Sequence, residues 1–384
     1  MNQNSCDVLI VGGGPAGLAA AIALRMRGAV VLVADSLRPP IDKACGEGLM
    51  PDALRDLASL GVDCERGESA RFQGIRFINW TDGERVSVCG EFERGVGLGM
   101  RRTELLGRLI ERAADIGVRL RWKTHVTFGN RVSLDREAIQ YRYLVGADGQ
   151  SSKVRKWAGL EQGKLISRRF GFRRHYRIPA ASNYVEVHWG ALGQVYITPT
   201  AQGEICVAAV TSHGSTRMQQ VVDAIPYLKE RLSDKAASSR ERGALTTTRR
   251  LKHVAKGNVA LIGDASGSVD AVTGEGLAIG FRQAALLGRS IEKDSLDLYA
   301  KEHETTLSMP RRMARALLVM DRYPSVRRVA MLALAGLPDL FDGLLGVHMG
   351  EESLPHFLLS SSVAAVKRLA QSGTSTSDPE RVSP

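Results

Sequence analysis

Short apolar runs alternate with helical periodicity at the start of the chain. Val8 to Val11 is an uninterrupted apolar run, which is typical of a strand that is buried on both faces. Leu18 to Arg27 is rich in alanine and leucine and stops at Gly28, which predicts a helix, and Val30 to Val33 predicts a second buried strand. Because strand, helix and strand follow one another directly, they predict a βαβ unit with parallel strands.

Farther along the chain, the pattern changes to the alternation that is typical of antiparallel strands. Phe72 to Val88 alternates around Trp80 to Gly83, which is a hairpin signal, and Phe170 to Val210 continues the alternation over several strands. Helical spacing returns from Val221 to Leu232 and again from Pro310 to Leu369. The pattern therefore predicts a β-rich unit inserted into the first one, followed by C-terminal helices.

The fold class that these patterns predict is α/β, with a Rossmann-like nucleotide-binding domain, an inserted antiparallel β-sheet substrate domain and C-terminal helices. Both larger domains are predicted to be discontinuous in sequence. The predicted boundaries are 1–71, 99–165 and 246–309 for the nucleotide-binding domain, 72–98 and 166–245 for the β-sheet domain, 310–369 for the helical region, and 370–384 for a disordered tail.

Composition argues against several classes of protein. The 384 residues include five cysteines and no Cys-x-x-Cys spacing, so neither a disulfide framework nor a metal site is expected. The odd number of cysteines also indicates a reducing cytosol, so we expect a cytoplasmic location. No apolar run reaches ~18 residues, so we expect no transmembrane helix. Aromatic residues make up 5% of the chain and no nucleic-acid-binding module is recognisable, so the net charge of +11 does not indicate nucleic acid binding.

Arginine pairs carry much of the positive charge, and two of them flank apolar helical positions near the C-terminus. These pairs are Arg311-Arg312 and Arg327-Arg328, on either side of Leu317 to Met320. The default interpretation is a solvated basic surface with core packing between the pairs. The alternative is peripheral contact with an acidic membrane surface or another anionic partner.

A glycine motif joins the first predicted strand to the first predicted helix. Its glycines follow the pattern Gly-x-Gly-x-x-Gly, which allows a tight turn, close approach to a diphosphate, and close packing of the helix on the strand. The N-terminus of the helix then faces the phosphates. Asp35 ends the second strand, where a carboxylate binds the adenosine ribose. These features predict a dinucleotide site, and no second such unit follows for a nicotinamide cofactor.

Two further motifs occur later in a fixed order. Gly146 to Arg155 contains an Asp-Gly pair, and Ile262 to Ser266 contains a Gly-Asp pair that Thr273 to Gly276 follows. Together with the first motif, they resemble the FAD-dependent oxidoreductases related to para-hydroxybenzoate hydroxylase, and within them the geranylgeranyl reductase-like branch. The resemblance covers about residues 5–300 and implies that one FAD extends through the whole nucleotide-binding domain.

The resemblance implies FAD contacts along the whole cofactor. The adenosine end involves Asp35 and Val126, the phosphates involve Arg102, and the ribityl side of the flavin involves Asp264. Asp148 with Gly149 is implied to lie near the diphosphate and the approach of the nicotinamide donor. The expected cofactor-binding residues are Gly12, Gly14, Pro15, Ala16, Gly17, Asp35, Cys45, Gly46, Arg102, Val126, Asp148, Gly149, Gly263, Asp264, Gly274, Glu275, Gly276 and Leu277.

Two of these residues have alternative interpretations. Cys45 is a packed thiol, a reactive thiolate or a flavin neighbour through its backbone, and we favour the backbone role because reactivity requires a lowered pKa. Glu275 is either an acid beside the flavin or the cap of the following helix. We favour capping, with the backbone of Gly274 to Gly276 against the flavin. The sequence does not assign a catalytic residue.

The expected function is that of an NADPH- or NADH-dependent FAD monooxygenase that uses oxygen to hydroxylate or epoxidise an apolar or aromatic, polyketide-like small molecule. One alternative is an FAD-dependent reductase of C=C bonds in prenyl or polyketide chains. A further alternative is a flavin-binding module without turnover.

Two departures from the family pattern bear on this choice. Val195 to Pro199 keeps one aromatic residue of the aromatic-rich segment that prenyl reductases carry, which argues against prenyl reduction. Ala271 stands where the family often has proline, and together with Thr273 to Gly276 it favours the reductase-like branch. Taken together, the sequence features favour hydroxylation slightly over reduction.

Overall fold

The computed structural model of the protein describes residues 4–81 and 84–357. Its strands are β1 (Ser5–Val11), β2 (Val31–Asp35), β3 (Gly48–Leu49), β4 (Ala70–Phe72), β5 (Gly74–Thr81), β6 (Glu84–Glu91), β7 (Gly97–Gly99), β8 (Arg119–Trp122), β9 (Val126–Phe128), β10 (Val132–Leu134), β11 (Glu137–Ala138), β12 (Gln140–Gly146), β13 (Gly163–Tyr176), β14 (Tyr184–Gly190), β15 (Gly193–Ala201), β16 (Glu204–Thr211), β17 (Arg242–Leu251), β18 (Ala255–Lys256) and β19 (Val259–Leu261). Its helices are α1 (Pro15–Arg25), α2 (Pro51–Ser59), α3 (Arg102–Asp115), α4 (Lys153–Trp157), α5 (Met218–Asp223), α6 (Pro226–Leu232), α7 (Gly276–Glu292), α8 (Asp297–Arg322), α9 (Pro324–Gly336) and α10 (Pro338–His348).

A six-stranded sheet has the order β18-β19-β12-β1-β2-β8 and is parallel except between β18 and β19. The predicted βαβ unit is present as β1, α1 and β2. Consecutive β1 residues such as Val8, Leu9 and Ile10 are all buried, as expected for a parallel strand that is covered on both faces. Because β1, β2, β12 and β19 run in the same direction, the loops that follow them meet at one edge.

A seven-stranded sheet has the order β17-β13-β16-β15-β14-β5-β6. Its pairings are antiparallel, as predicted, except that β14 and β5 pair in parallel. Residues such as Val195, Val207 and Ile225 form a core between this sheet and the helices α5 and α6. The sequence pattern predicts one helix there, but Pro226 starts a new helix and Ile225 is extended, since a residue before proline avoids the helical conformation.

The helices α8, α9 and α10 pack against another part of the seven-stranded sheet. Met331, Phe341 and Leu345 share a core with Val88 and Trp189 of the sheet. The helical spacing predicted from Pro310 onward begins inside the much longer α8, which starts at Asp297 and includes Pro310. The C-terminal helices therefore cover part of the seven-stranded sheet, and the fold is the predicted α/β arrangement.

Some predictions fall outside the described residues. The tip of the β5–β6 hairpin at residues 82–83, the helix predicted after Phe357 and the tail at 370–384 belong to this group.

In the described ranges, 4–81 and 84–357, each helix taken singly is too short or too polar to cross a bilayer. The segments Pro324–Gly336 and Asp339–His348 meet the length and hydropathy requirements only as a pair that bends by 109°.

Candidate cofactor and substrate site

A cavity of about 1130 Å³ lies where the loops after the parallel strands face the seven-stranded sheet. The structure brings almost all of the expected cofactor residues to this cavity, although they come from distant parts of the sequence. Gly17 and Glu275 are the two that do not line it. The residues that do are Gly12, Gly14, Pro15, Ala16, Asp35, Cys45, Gly46, Arg102, Val126, Asp148, Gly149, Gly263, Asp264, Gly274, Gly276 and Leu277.

The glycine turn between β1 and α1 combines two tight contacts with one open position. Gly12 has a φ of +114°, and a Cβ atom built there would overlap the carbonyl oxygen of Ala147. A Cβ atom at Gly17 would overlap the carbonyl oxygen of Gly12, so this glycine holds α1 against the turn. A Cβ atom at Gly14 would meet no other atom within 4 Å. The space in front of Gly14 therefore belongs to the cavity, beside the N-terminus of α1.

Asp35 at the end of β2 is held in place by two backbone amides. The Gly13 amide donates to Asp35 Oδ2 at 2.7 Å, and the Leu37 amide donates to Oδ1 at 2.8 Å. Each carboxylate oxygen has a second lone pair that can accept a hydrogen bond from a ligand. The carboxylate is thus oriented to accept hydroxyl groups of a sugar in the cavity.

Asp148 joins the second motif to helix α4. Its Oδ2 accepts hydrogen bonds from the amides of Lys153 at 2.6 Å and Val154 at 3.2 Å, so it caps this helix. Its Oδ1 is buried without a hydrogen-bond partner in the described structure. Arg155 is also buried and donates to the carbonyls of Ala265 at 3.1 Å and Gln150 at 2.7 Å. Arg155 therefore links the second motif to the third.

Charged groups near the cavity fit an anionic ligand with hydroxyl groups. Asp264 is exposed to the cavity, where reduced solvation raises its pKa, and Arg102 and Lys43 oppose this rise. The Nε atom of Arg102 is buried and, among the described residues, has no acceptor. A buried guanidinium donor without a partner beside an open cavity fits a phosphate oxygen, since charged donors bind phosphate strongly. Together with the open space at Gly14, these residues fit FAD.

The rest of the cavity wall is apolar and comes from two sources. The seven-stranded sheet contributes aromatic and branched side chains, and the C-terminal helices contribute the opposite side. The sheet residues include Phe72, Ile75, Phe77, Val185 and Val187, and the helical residues include Met313, Leu317, Met320, Leu334, Phe341 and Leu345. The helical contribution is not predicted from the sequence, where these positions are interpreted as core packing.

Residues 5–294 match the family whose description is FAD binding domain. The chain belongs to this FAD-binding family. The menaquinone reductase of Mycobacterium tuberculosis (strain CDC 1551 / Oshkosh) is 27% identical to it over 363 residues, covering 87% of this chain and 89% of that protein. The digeranylgeranylglycerophospholipid reductase of Methanosarcina mazei is 26% identical over 312 residues and covers 75% of each chain.

The solved structure of p-nitrophenol 4-monooxygenase from Pseudomonas putida has the same fold. It superposes with a TM-score of 0.72 at 18% sequence identity, covering 86% of this chain and 93% of that chain. The family match and this likeness confirm the predicted fold of the para-hydroxybenzoate hydroxylase type and the predicted cofactor, FAD. The protein is an FAD-dependent oxidoreductase.

The loop that carries Cys45 in this FAD-binding protein is fixed by a buried network that the sequence analysis does not identify. Glu47 accepts a hydrogen bond from the Arg102 amide at 3.1 Å, and its other oxygen lies 2.5 Å from His175 Nε2. Cys206 joins Glu47 and His175 in a set of metal-ligating types within 4.8 Å of one another. Arg173 Nε lies 3.6 Å from Glu47, so this carboxylate already has a cationic partner.

Glu275 lies at the N-cap position of α7, as predicted, but its side chain does not cap the helix and does not line the cavity. It makes no capping hydrogen bond, and its Oε1 accepts from Arg282 at 3.3 Å. Its Oε2 lies 3.6 Å from Nε2 of His348, a buried residue that does line the cavity. Burial raises the pKa of Glu275 to about 8 and lowers the pKa of His348 to about 4. Glu275 therefore carries a proton at neutral pH.

Replacing Glu275 by glutamine should reduce the pH dependence of stability in the FAD-binding protein. The pKa of Glu275 in the folded state, about 8, is above its ordinary value of 4.5. At a pH between these two pKa values, Glu275 holds a proton in the folded state but not in the unfolded state. The free energy of unfolding therefore falls as the pH rises through this range. Glutamine cannot titrate. When the pH rises, the free energy of unfolding should therefore fall less in E275Q than in the wild-type protein.

Melting temperatures at about pH 6.5 and about pH 8 measure this difference. His348, whose pKa falls from 6.5 in the unfolded state to about 4 in the folded state, and Asp56, whose pKa is raised by burial to about 6, also titrate near the lower end of this window. Both groups are present in the wild-type protein and in E275Q, so the difference between the two declines reports Glu275. Glu304→Gln is the matched control, because the Glu304 side chain is half exposed. Equal declines in the wild-type protein and E275Q would contradict the role of Glu275.

Proposed function

We propose that this protein is an FAD-dependent reductase that adds two hydrogens across a C=C bond in a long apolar chain, such as a prenyl chain, with NADPH or NADH as the electron donor. The observation that carries the proposal is the cavity, which continues from the glycine motifs to a wall of apolar side chains. The two relatives are reductases whose names specify menaquinone and digeranylgeranylglycerophospholipid, and both of these molecules carry prenyl chains.

In this proposal, the first part of the cavity holds FAD in an extended form. Asp35 accepts the ribose hydroxyls, and Gly14 with Arg102 contacts the diphosphate. Asp264 accepts hydroxyls on the ribityl side, and Gly274 places its backbone near the flavin ring. Bound FAD supplies the two-electron chemistry, while the chain orients the substrate and keeps water away from the reacting carbons.

Tyr196 weakens the argument against prenyl reduction that arises from the Val195 to Pro199 segment. Its ring lines the cavity, and its hydroxyl lies 2.8 Å from Gln194 Oε1 and 3.1 Å from the carbonyl oxygen of Val272. Burial raises the pKa of Tyr196, so the phenol is neutral. The one aromatic residue that this segment keeps is thus fixed between the sheet and the loop before Gly274.

The proposed reaction is tested by product mass after incubation without oxygen. Purified protein with bound FAD is incubated with NADPH or NADH and a lipid that carries an unsaturated prenyl chain but no quinone ring, and we expect a product that has gained two hydrogens. A product that has gained one oxygen atom, formed only in air, would instead establish the monooxygenase that the sequence motifs favour. A flavin that neither donor reduces in the presence of any such substrate would contradict both reactions.

A pair of variants on α8 tests whether the substrate chain occupies the apolar part. Ala316 is exposed and lines the cavity, whereas Ala300 on the same helix is exposed and does not line it. Ala316→Phe should reduce kcat/KM for a long chain by about tenfold, because an added ring in a packed site is unfavourable by ~1–3 kcal/mol. Ala300→Phe should leave it unchanged. Equal effects of the two variants would exclude this part of the cavity as the chain site.

A further inference from the structure

The outer face of α9 is apolar and exposed. Val326 is 46% exposed, Val329 is 68% exposed and Leu332 is 52% exposed. Val319 and Tyr323, at the end of α8 and the junction with α9, are exposed to a similar degree. Large apolar side chains are common singly on a protein surface, but a contiguous group on one helical face marks an interaction site.

The orientation of this face is fixed by the opposite side of the same helix. Arg327, Met331 and Leu334 are buried, and their spacing places them together on the inner side of α9. Arg327 donates from Nε to Asn79 Oδ1 at 2.7 Å, which ties the helix to β5. Leu334 lines the cavity. A single helix therefore separates the apolar cavity from the exposed apolar face.

Most of the charge around the exposed face is positive. Residues 309–339 contain six arginines and two aspartates. Asp321 faces inward, where Arg169 lies 3.1 Å from its Oδ2 and Gln194 donates to its Oδ1 at 3.1 Å, whereas Asp339 is exposed at the start of α10. Arg312, Arg315 and Arg322 are exposed. An apolar face next to exposed arginines matches an anionic lipid surface, where apolar side chains enter the boundary region and arginines bind phosphates.

We propose that this surface, which consists of Val319, Tyr323, Val326, Val329 and Leu332 with Arg312, Arg315 and Arg322, docks the protein onto an anionic phospholipid bilayer. We name it the basic apolar ridge. The charge complementarity favours a bilayer over a second copy of this chain, because two copies would bring the same arginines together. The proposal does not depend on the reaction, although α9 would also place the cavity close to lipid-dissolved substrates.

Flotation with lipid vesicles tests the docking. The FAD-loaded, full-length protein is mixed with vesicles of equal parts phosphatidylglycerol and phosphatidylcholine, or with phosphatidylcholine alone. We expect it to float with the anionic vesicles and to bind the neutral ones at least about tenfold more weakly. Binding should decrease at about 0.5 M NaCl, because salt screens the arginines. Equal binding to both kinds of vesicle, or binding to neither, would overturn the proposal.

Two pairs of variants locate the binding to the ridge. Val329→Ser with Leu332→Ser should reduce vesicle binding by about tenfold, since two exposed apolar side chains no longer enter the lipid. Ile166→Ser is the control, because Ile166 is 61% exposed and belongs to β13 rather than to α8 or α9. Arg315→Gln with Arg322→Gln should reduce binding by about fivefold per arginine. Arg250→Gln is the control for this pair. Arg250 lies on the exposed part of β17, and its replacement should not reduce vesicle binding.

Light scattering of the same variants separates docking from self-association. We expect the wild-type protein and V329S/L332S to have the same mass in solution and the same flavin spectrum. A wild-type dimer that V329S/L332S converts to a monomer, without anionic vesicle binding, would assign the ridge to a second copy and overturn the proposal. A loss of binding in Ile166→Ser equal to that in V329S/L332S would also overturn it.

Discussion

Replacing Gly14 by alanine is expected to leave the protein folded and to remove most of its FAD. A Cβ atom at this position meets no protein atom within 4 Å, and the Gly14 backbone has a φ of −77°, which alanine adopts freely. The added methyl group instead enters the cavity where we propose that the diphosphate lies. A methyl group forced into a packed contact is unfavourable by about 1–3 kcal/mol, so FAD should bind roughly 10- to 100-fold more weakly.

Two further glycine variants distinguish this effect from unfolding. Gly107→Ala is the matched control, because Gly107 lies within α3 and does not line the cavity, and a Cβ atom there also meets nothing within 4 Å. It should keep FAD and gain about 0.5–1 kcal/mol of stability. Gly12→Ala should prevent folding, because its Cβ atom overlaps the Ala147 carbonyl at a φ of +114°.

The flavin absorbance per protein after desalting measures FAD retention, and circular dichroism measures the fold. G14A should show a native spectrum with little flavin, and a titration with FAD should give the weakened dissociation constant. If G14A kept FAD as tightly as G107A, the diphosphate would lie elsewhere in the cavity.

The nucleotide-binding part of the fold was predictable because its signals are local. A buried strand, a glycine turn and a helix follow one another within residues 5–25, and each element is specified by its own residues. The direction of the parallel strands then brings Asp35, Asp148 and Gly263 to one edge without further information. All but two of the residues expected around the cofactor therefore lie around one cavity.

The parts that could not be predicted depend on contacts between distant residues. Glu47 and His175 form a buried pair although they are 128 residues apart, and neither has a local pattern that marks it. Helical spacing identified the C-terminal helices, but periodicity does not distinguish a side chain that fills a core from one that lines a cavity. Glu275 illustrates the same limit, since its place before α7 indicates a cap while its carboxyl packs against Arg282 and His348.

A buried ion network holds α8 to the loop before Gly274. Arg169 on β13 donates to Asp270 Oδ1 at 3.1 Å and to Asp321 Oδ2 at 3.1 Å. Asp270 also accepts from the amide of Val272 at 3.1 Å, which fixes the loop before Gly274. One guanidinium therefore joins β13, this loop and α8. Arg169 and Asp270 are both almost fully buried, so neither charge has water as an alternative partner.

Replacing Arg169 by leucine is expected to lower the free energy of unfolding by about 3–5 kcal/mol, because it leaves buried carboxylates without their cation. Arg250→Leu on the neighbouring strand is the control. Arg250 pairs with Glu304 at 2.8 Å, but both side chains are about half exposed, so its loss should change stability by less than about 1 kcal/mol. Urea unfolding with saturating FAD measures both values.

A double variant separates the loss of the cation from a loss of packing. R169L combined with Asp270→Asn removes one of the two uncompensated charges and keeps the shape of the side chain, so it should recover part of the stability that R169L loses. If the double variant were less stable than R169L, the effect of Arg169 would come from packing rather than from charge. The ion pairs of Arg169 would then not be the electrostatic link between α8 and the loop before Gly274.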